Sequence, residues 1–232
     1  MRSLGLLVCL IAACDAGEKP PPVAPTSPQA SPPPSPRPPV AADLAEYMND
    51  LPGTGTKLVA KIETSVGTLN CELYGDKAPM TVANFVGLAT GMKPWVHPKT
   101  GNVQRSWPFF DGLTFHRVIP GFMIQGGDPR GNGTGGPGYD FDDEIWDGAH
   151  VGPGVLAMAN AGVRGGRGTN GSQFFVMEGD RPDLSSKHTV FGACAELDVV
   201  RKIARVKTGE HDQPVVPVTI TKVTISKRES AW

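Results

Sequence analysis

In the stretch FHRVIPGFMIQGGDPRGNGTGG, residues 115–136, one arginine, Arg117, is followed by the apolar pair Phe122 and Met123, then by Gln125, then by a glycine-rich run. No nucleophile paired with a base, no acid/base couple and no cluster of metal ligands accompanies them. A guanidinium stays charged at any biological pH and does not give up its proton. Such a group suits a reaction in which a fixed donor must meet electron density that develops in the transition state. The five histidines lack ligand spacing, so no metal is expected. The run GNGTGGPG lacks the lysine and hydroxyl residue of a phosphate-binding loop and reads as a turn of close backbone approach. The acidic triplet Asp142 to Glu144 reads as a solvated cluster.

These residues need a frame. From Lys57 the chain alternates, with Leu58, Ala60 and Ile62 on one face, a turn at Val66 and Gly67, and a second strand through Leu73. In APMTVANFVGLATG, Val82, Phe85, Val86 and Ala89 recur at helical spacing, with Pro79 in the first turn and Gly91 at the stop. A loop rich in proline and glycine follows. Short strands are predicted around Thr114 to Ile119, Phe122 to Gln125, Val155 to Ala159, Gln173 to Met177 and Thr189 to Cys194. A second helix in ELDVVRKIARV then leads to a last strand from Val218 to Ile225. Many short strands with few helices predict a mainly β, antiparallel barrel or sandwich, and a closed barrel best removes exposed edges.

The flanks carry a different message. Of 23 prolines in the 232 residues, 11 fall between Pro20 and Pro39, in a segment too poor in large apolar side chains to pack a core. The start, MRSLGLLVCLIAAC, has one positive charge, then an apolar run too short to span a bilayer, and reads as a secretory signal. Its end, IAAC, resembles a bacterial lipobox, with Cys14 as the acylated first residue of the mature chain. Residues 1–13 are thus expected as signal peptide, 14–56 as a lipid-anchored proline-rich linker and 57–228 as the globular domain. That arrangement predicts a membrane partner through the lipid anchor, in the bacterial cell envelope and outside the cytoplasm. With 22 basic against 23 acidic residues, no nucleic-acid partner is expected. Cys71 and Cys194, the cysteines left in the fold, sit in apolar strand-like runs and read as free core thiols rather than a bridge.

The blocks FHRVIPGFMIQGGD, NGTGG, GPGVLAMANAG, TNGSQFFV and KHTVFG occur in that order. From about Lys57 to Lys227 the chain resembles the cyclophilin type of peptidyl-prolyl cis-trans isomerase. The resemblance implies an eight-stranded antiparallel barrel capped by two helices, no cofactor, proline-containing polypeptide substrates and a monomer. It implies Arg117 and Gln125 as catalytic residues, with Phe122, Met123, Ala159, Asn160, Gln173, Phe175, Leu184 and His188 binding substrate. Gln125 would hold Arg117 or meet the substrate backbone, and His116 would be a hydrogen-bonded structural histidine. An isomerase assisting the folding of exported proteins is expected. A proline-binding adaptor with little turnover, or a purely structural lipoprotein, would explain Arg117 less well. The chain departs from the family at Asp183, where many cyclosporin-sensitive members carry tryptophan, so weak cyclosporin binding is expected. It also departs at VRGGRG, Val163 to Gly168, whose Arg164 and Arg167 would favour acidic residues preceding proline.

Overall fold

The computed structural model describes residues 35–230, which fold as one unit. The expected signal peptide, Cys14 and the linker as far as residue 34 lie outside the described residues.

The last part of the stretch read as linker belongs to the fold. Helix α1 (Ala42–Asn49) turns Leu44 and Tyr47 inward, and Leu51 just beyond it is also buried. That i, i+3, i+7 stripe lies against helix α2 (Pro79–Thr90). Gly87 of α2 makes the approach possible, since a Cβ there would stand 2.7 Å from the Tyr47 ring. Arg37 binds Asp43 through two nitrogens at 3.0 and 2.6 Å, and Val40 N donates to the same carboxylate. Below this lies Lys93, only 2% exposed, its Nζ 3.9 Å from Asp43 and 5.0 Å over the Tyr139 ring. Burial pushes its ammonium down to about 8, against the pull of Asp43.

Strands β1 (Lys57–Thr64) and β2 (Thr68–Leu73) form the expected hairpin. The rest of the sheet comprises β3 (Arg117–Ile119), β4 (Met123–Gly126), β5 (Val155–Met158), β6 (Phe174–Met177), β7 (Val190–Cys194) and β8 (Ile220–Arg228). All neighbours are antiparallel, in the order β8-β1-β2-β7-β5-β6-β4-β3. The expected closed barrel is corrected to an open half-barrel. Strand β3 is three residues long and forms its ladder with β4. The start of β8 meets the irregular chain before β3 rather than β3 itself: Phe115 N bonds Val218 O at 2.9 Å, Ile220 N bonds Leu113 O at 2.7 Å and Gly112 N bonds Ile220 O at 2.8 Å, around one Thr114–Thr219 bridge. Helix α3 (Leu197–Ala204) is the second expected helix, so the described residues hold three α-helices rather than two.

Apolar faces explain the fold's cohesion. Phe85 on α2 reaches Phe110, Phe174 and Phe191 at ring distances of 4.9, 5.7 and 5.5 Å. Glu144 binds the N-terminal turn of α2, accepting from Met80 N at 3.0 Å, Thr81 N at 2.8 Å and the Thr81 hydroxyl at 2.7 Å. A carboxylate there satisfies orphan donors and complements the helix dipole. Asp143 accepts from Asn160 and Asn170, and Asp142 from Gly168 N. The triplet read as a solvated cluster therefore ties its own segment to the start of α2 and to the chain at Asn160, Gly168 and Asn170.

Cys71 and Cys194 form a disulfide, which corrects the expectation of free thiols. They stand directly opposite each other on β2 and β7. Register, rather than local sequence, brings the sulfurs together.

Candidate active site

Strand pleating divides residues 117–177 between two faces. On β6, Phe174 and Val176 enter the main core, while Phe175 and Met177 belong to a smaller cluster on the outer face with Met123, Ala157 and Val190. The ladders align Arg117 with Gln125, Gln125 with Phe175, and Phe175 with Ala157. One transverse row thus carries the guanidinium, an amide and an aromatic ring side by side. The next row carries Ile119, Met123 and Met177.

Over this row lies an open hollow of about 290 Å³, lined by Arg117, Phe122, Met123, Gln125, Ala159, Asn160, Phe175, Leu184 and His188. These are the expected site residues except Gln173, which lines the adjoining hollow with Gln125, Ala159 and Asn160. Five apolar residues, Phe122, Met123, Ala159, Phe175 and Leu184, share the lining with the polar Arg117, Gln125, Asn160 and His188.

Each wall has an anchor. Phe122 sits in a tight turn whose carbonyl accepts from Glu178 N at 2.8 Å and Gly179 N at 3.1 Å, while the Glu178 carboxylate accepts from Gly121 N at 2.8 Å and pairs with Arg205. His188 donates Nδ1–H to the Met158 carbonyl at 2.9 Å, because a carbonyl can only accept, and its ring meets Phe175 edge-on at 5.4 Å. The Asn160 amide donates to Asp143 at 3.0 Å and the Lys187 carbonyl at 2.9 Å, which fixes the main chain of that rim.

Gln125 does not hold Arg117. Its Nε2 donates to Gln173 Oε1 at 2.9 Å, and Gln173 in turn donates to the carbonyls of Gly133 and Gly135 at 3.0 and 2.9 Å. That relay secures the glycine-rich loop. The loop also wraps Asp128, 1% exposed, so closely that a Cβ on Gly135 would meet its Oδ1 at 2.0 Å. Burial alone would raise that carboxyl, yet backbone N–H groups of Arg130, Asn132, Gly135 and Gly133 hold it below the usual carboxylate range.

The partner of Arg117 is Asp212, whose Oδ2 accepts from Nε at 3.4 Å, and no motif or spacing singles this aspartate out. His116 also departs from expectation. It is 5% exposed with neither ring nitrogen partnered among the described residues, and burial lowers its pKa. Arg164 lines the adjoining hollow together with Asn160, Gln173 and Asp140. Among the described residues no group of His, Cys, Asp or Glu is arranged to hold a metal ion.

Comparison with known proteins bears on this arrangement. The family described as cyclophilin type peptidyl-prolyl cis-trans isomerase/CLD matches residues 59–225. Peptidyl-prolyl cis-trans isomerase A of Mycobacterium tuberculosis is 46% identical over 189 residues, spanning 80% of this chain and all of that protein. Peptidyl-prolyl cis-trans isomerase B of Streptomyces anulatus is 47% identical over 177 residues, 74% of this chain and 98% of the relative. A crystal structure of a Cryptosporidium parvum cyclophilin type peptidyl-prolyl cis-trans isomerase superposes with a TM-score of 0.63 at 28% identity, covering 75% of this chain and 99% of its own. A second crystal structure of that protein, in the presence of the dipeptide Ala-Pro, gives a TM-score of 0.60 at 28% identity over 73% and 99% of the two chains.

Proposed function

The chain belongs to the cyclophilin-type peptidyl-prolyl cis-trans isomerase family and is an isomerase of proline-containing substrates, and from that premise we propose that Arg117 is the group that accelerates the rotation. Turning an X-Pro bond breaks no covalent bond but crosses a barrier of about 18–20 kcal/mol set by amide resonance. As the bond twists, the nitrogen lone pair localises. A donor aimed at it then stabilises the twisted state more than either planar state. Phe122, Met123, Phe175 and Leu184 would enclose the pyrrolidine ring, excluding water and fixing one side of the rotating bond. Asn160 main chain would hold the residue before proline. The observation that carries the reading is the row Arg117–Gln125–Phe175 bordering a hollow walled in part by Phe122, Met123, Phe175 and Leu184. A protease-coupled prolyl-isomerisation assay on the wild type and an Arg117 variant tests it.

Asp183 supports a narrower statement about inhibitors. Its carboxylate binds Arg181 at 2.7 and 2.8 Å, and that guanidinium lies 5.0 Å over the Phe122 ring. An ion pair thus occupies the rim where an indole would offer apolar area and a donor. Cyclosporin is expected to inhibit only weakly while isomerisation proceeds; inhibition at nanomolar concentration in the same assay would refute this.

The cell envelope is the proposed setting, with the protein serving exported chains. The IAAC sequence ending at Cys14 supports a lipid anchor. The Cys71–Cys194 bridge supports an oxidising compartment, where disulfides persist. A Cys14→Ser variant expressed in its host should leave the membrane fraction, and equal membrane retention of both forms would remove the anchor from the account.

A further inference from the structure

We propose that Asp212 is a positioning residue for the isomerase reaction, holding the Arg117 side chain by its inner nitrogen so that the two terminal NH₂ groups are presented to substrate. The proposal rests on the role given to Arg117 above. Asp212 Oδ2 accepts from Nε at 3.4 Å, across 95 residues of sequence. A bond at Nε fixes the direction of the guanidinium plane and leaves the outer edge of the fork available, which a carboxylate clamped on the terminal nitrogens would not do.

The turn that delivers Asp212 is built at a cost. His211 and Asp212 have φ of 57° and 60°, two successive residues with side chains in the left-handed region. Such conformations are disfavoured and persist where the surroundings impose them, most often at functional sites. The surroundings here are visible. Gly209 N bonds Gln213 O at 2.8 Å and Gln213 N bonds Glu210 O at 3.2 Å, closing the turn, while Gln213 Nε2 reaches the Gly131 carbonyl at 3.4 Å. The turn is therefore tied to the same glycine-rich loop that Gln173 secures from the other side. Arg117, Gln125 and Asp212 also share the wall of a hollow of about 460 Å³ beside the proline site. Both partners are about half exposed, with side chains 42% and 47% accessible, so the ion pair adds little to stability. Its consequence is orientation.

Two variants keep the backbone in place: Asp212→Gly, because glycine adopts positive φ freely, and Asp212→Asn, because asparagine tolerates it. In the protease-coupled assay Asp212→Gly should lower kcat about fivefold, and Asp212→Asn about twofold, with KM within about twofold of wild type, as lost positioning requires. In an Arg117→Lys background the Asp212→Gly penalty should shrink below about 1.5-fold, since coupled residues are not additive. Wild-type or higher kcat in Asp212→Gly, a fall in melting temperature without loss of kcat, or an equal penalty in both backgrounds would each overturn the proposal. If Asp212→Gly does not fold, the same comparison with Asp212→Asn decides. Loss of activity on removing Arg117 with none on removing the carboxylate would leave the catalytic reading intact and sink this one alone.

Discussion

Replacing Arg117 with alanine is expected to lower kcat/KM about a hundredfold, a loss of about 2.7 kcal/mol of transition-state stabilisation. The fall should appear in kcat. The guanidinium borders the hollow rather than filling it, so the apolar walls formed by Phe122, Met123 and Phe175 stay in place to bind the planar substrate. An Ala-Pro peptide should consequently bind within a few-fold of its wild-type affinity by calorimetry. Lysine at the same position keeps the charge but loses the planar fork, and should recover only part of the rate. The magnitude is physically reasonable, because a charge-assisted hydrogen bond is worth about 1.5–3 kcal/mol net and gains weight where water is excluded. A variant without Arg117 that retains a third or more of wild-type kcat/KM would show that the hollow accelerates rotation by desolvation alone.

The second large effect concerns stability. The Cys71–Cys194 bridge closes a separation of 123 residues. Chain entropy sets a ceiling of about 5 kcal/mol for a loop of that size, and measured disulfide contributions centre on about 2–4 kcal/mol. Replacing both cysteines with alanine should lower the unfolding free energy by that central amount in urea titrations. The two cysteines should also resist alkylation in denaturant until a reductant is added. Rates of isomerisation should change little, since β2 contributes no residue to the hollow. Unchanged stability, or alkylation of both residues without reductant, would contradict the bridge.

Sequence legibility followed the range of the interaction. The β1–β2 hairpin was readable because alternation and a Val66–Gly67 turn are local, and α2 because Pro79 and Gly91 mark its ends. The pocket residues were readable from contiguous blocks, although Phe122, Met123 and Phe175 by themselves look like core. Helix α1 was missed because its apolar stripe has only Leu44, Tyr47 and Leu51, too little to signal a helix without the surface of α2 beneath it. The bridge depends on the register of β2 against β7, which no local pattern encodes. Asp212 lies in the run TGEHDQP, and no local pattern there points to Arg117, 95 residues away. Glu144 was misread for the same reason, since its partners Met80 and Thr81 lie 64 and 63 residues away.

Helix α1 changes where this protein can be cut. An expression clone beginning at Lys57, the start of the first strand, would look complete by secondary structure and would retain all the residues that line the hollow. It would also uncover the face of α2 beside Gly87 and remove Asp43, the carboxylate 3.9 Å from the Lys93 ammonium. The smallest piece that keeps every buried charge matched starts upstream of Arg37, so what resembles the tail of a tether is the first structural layer of the enzyme.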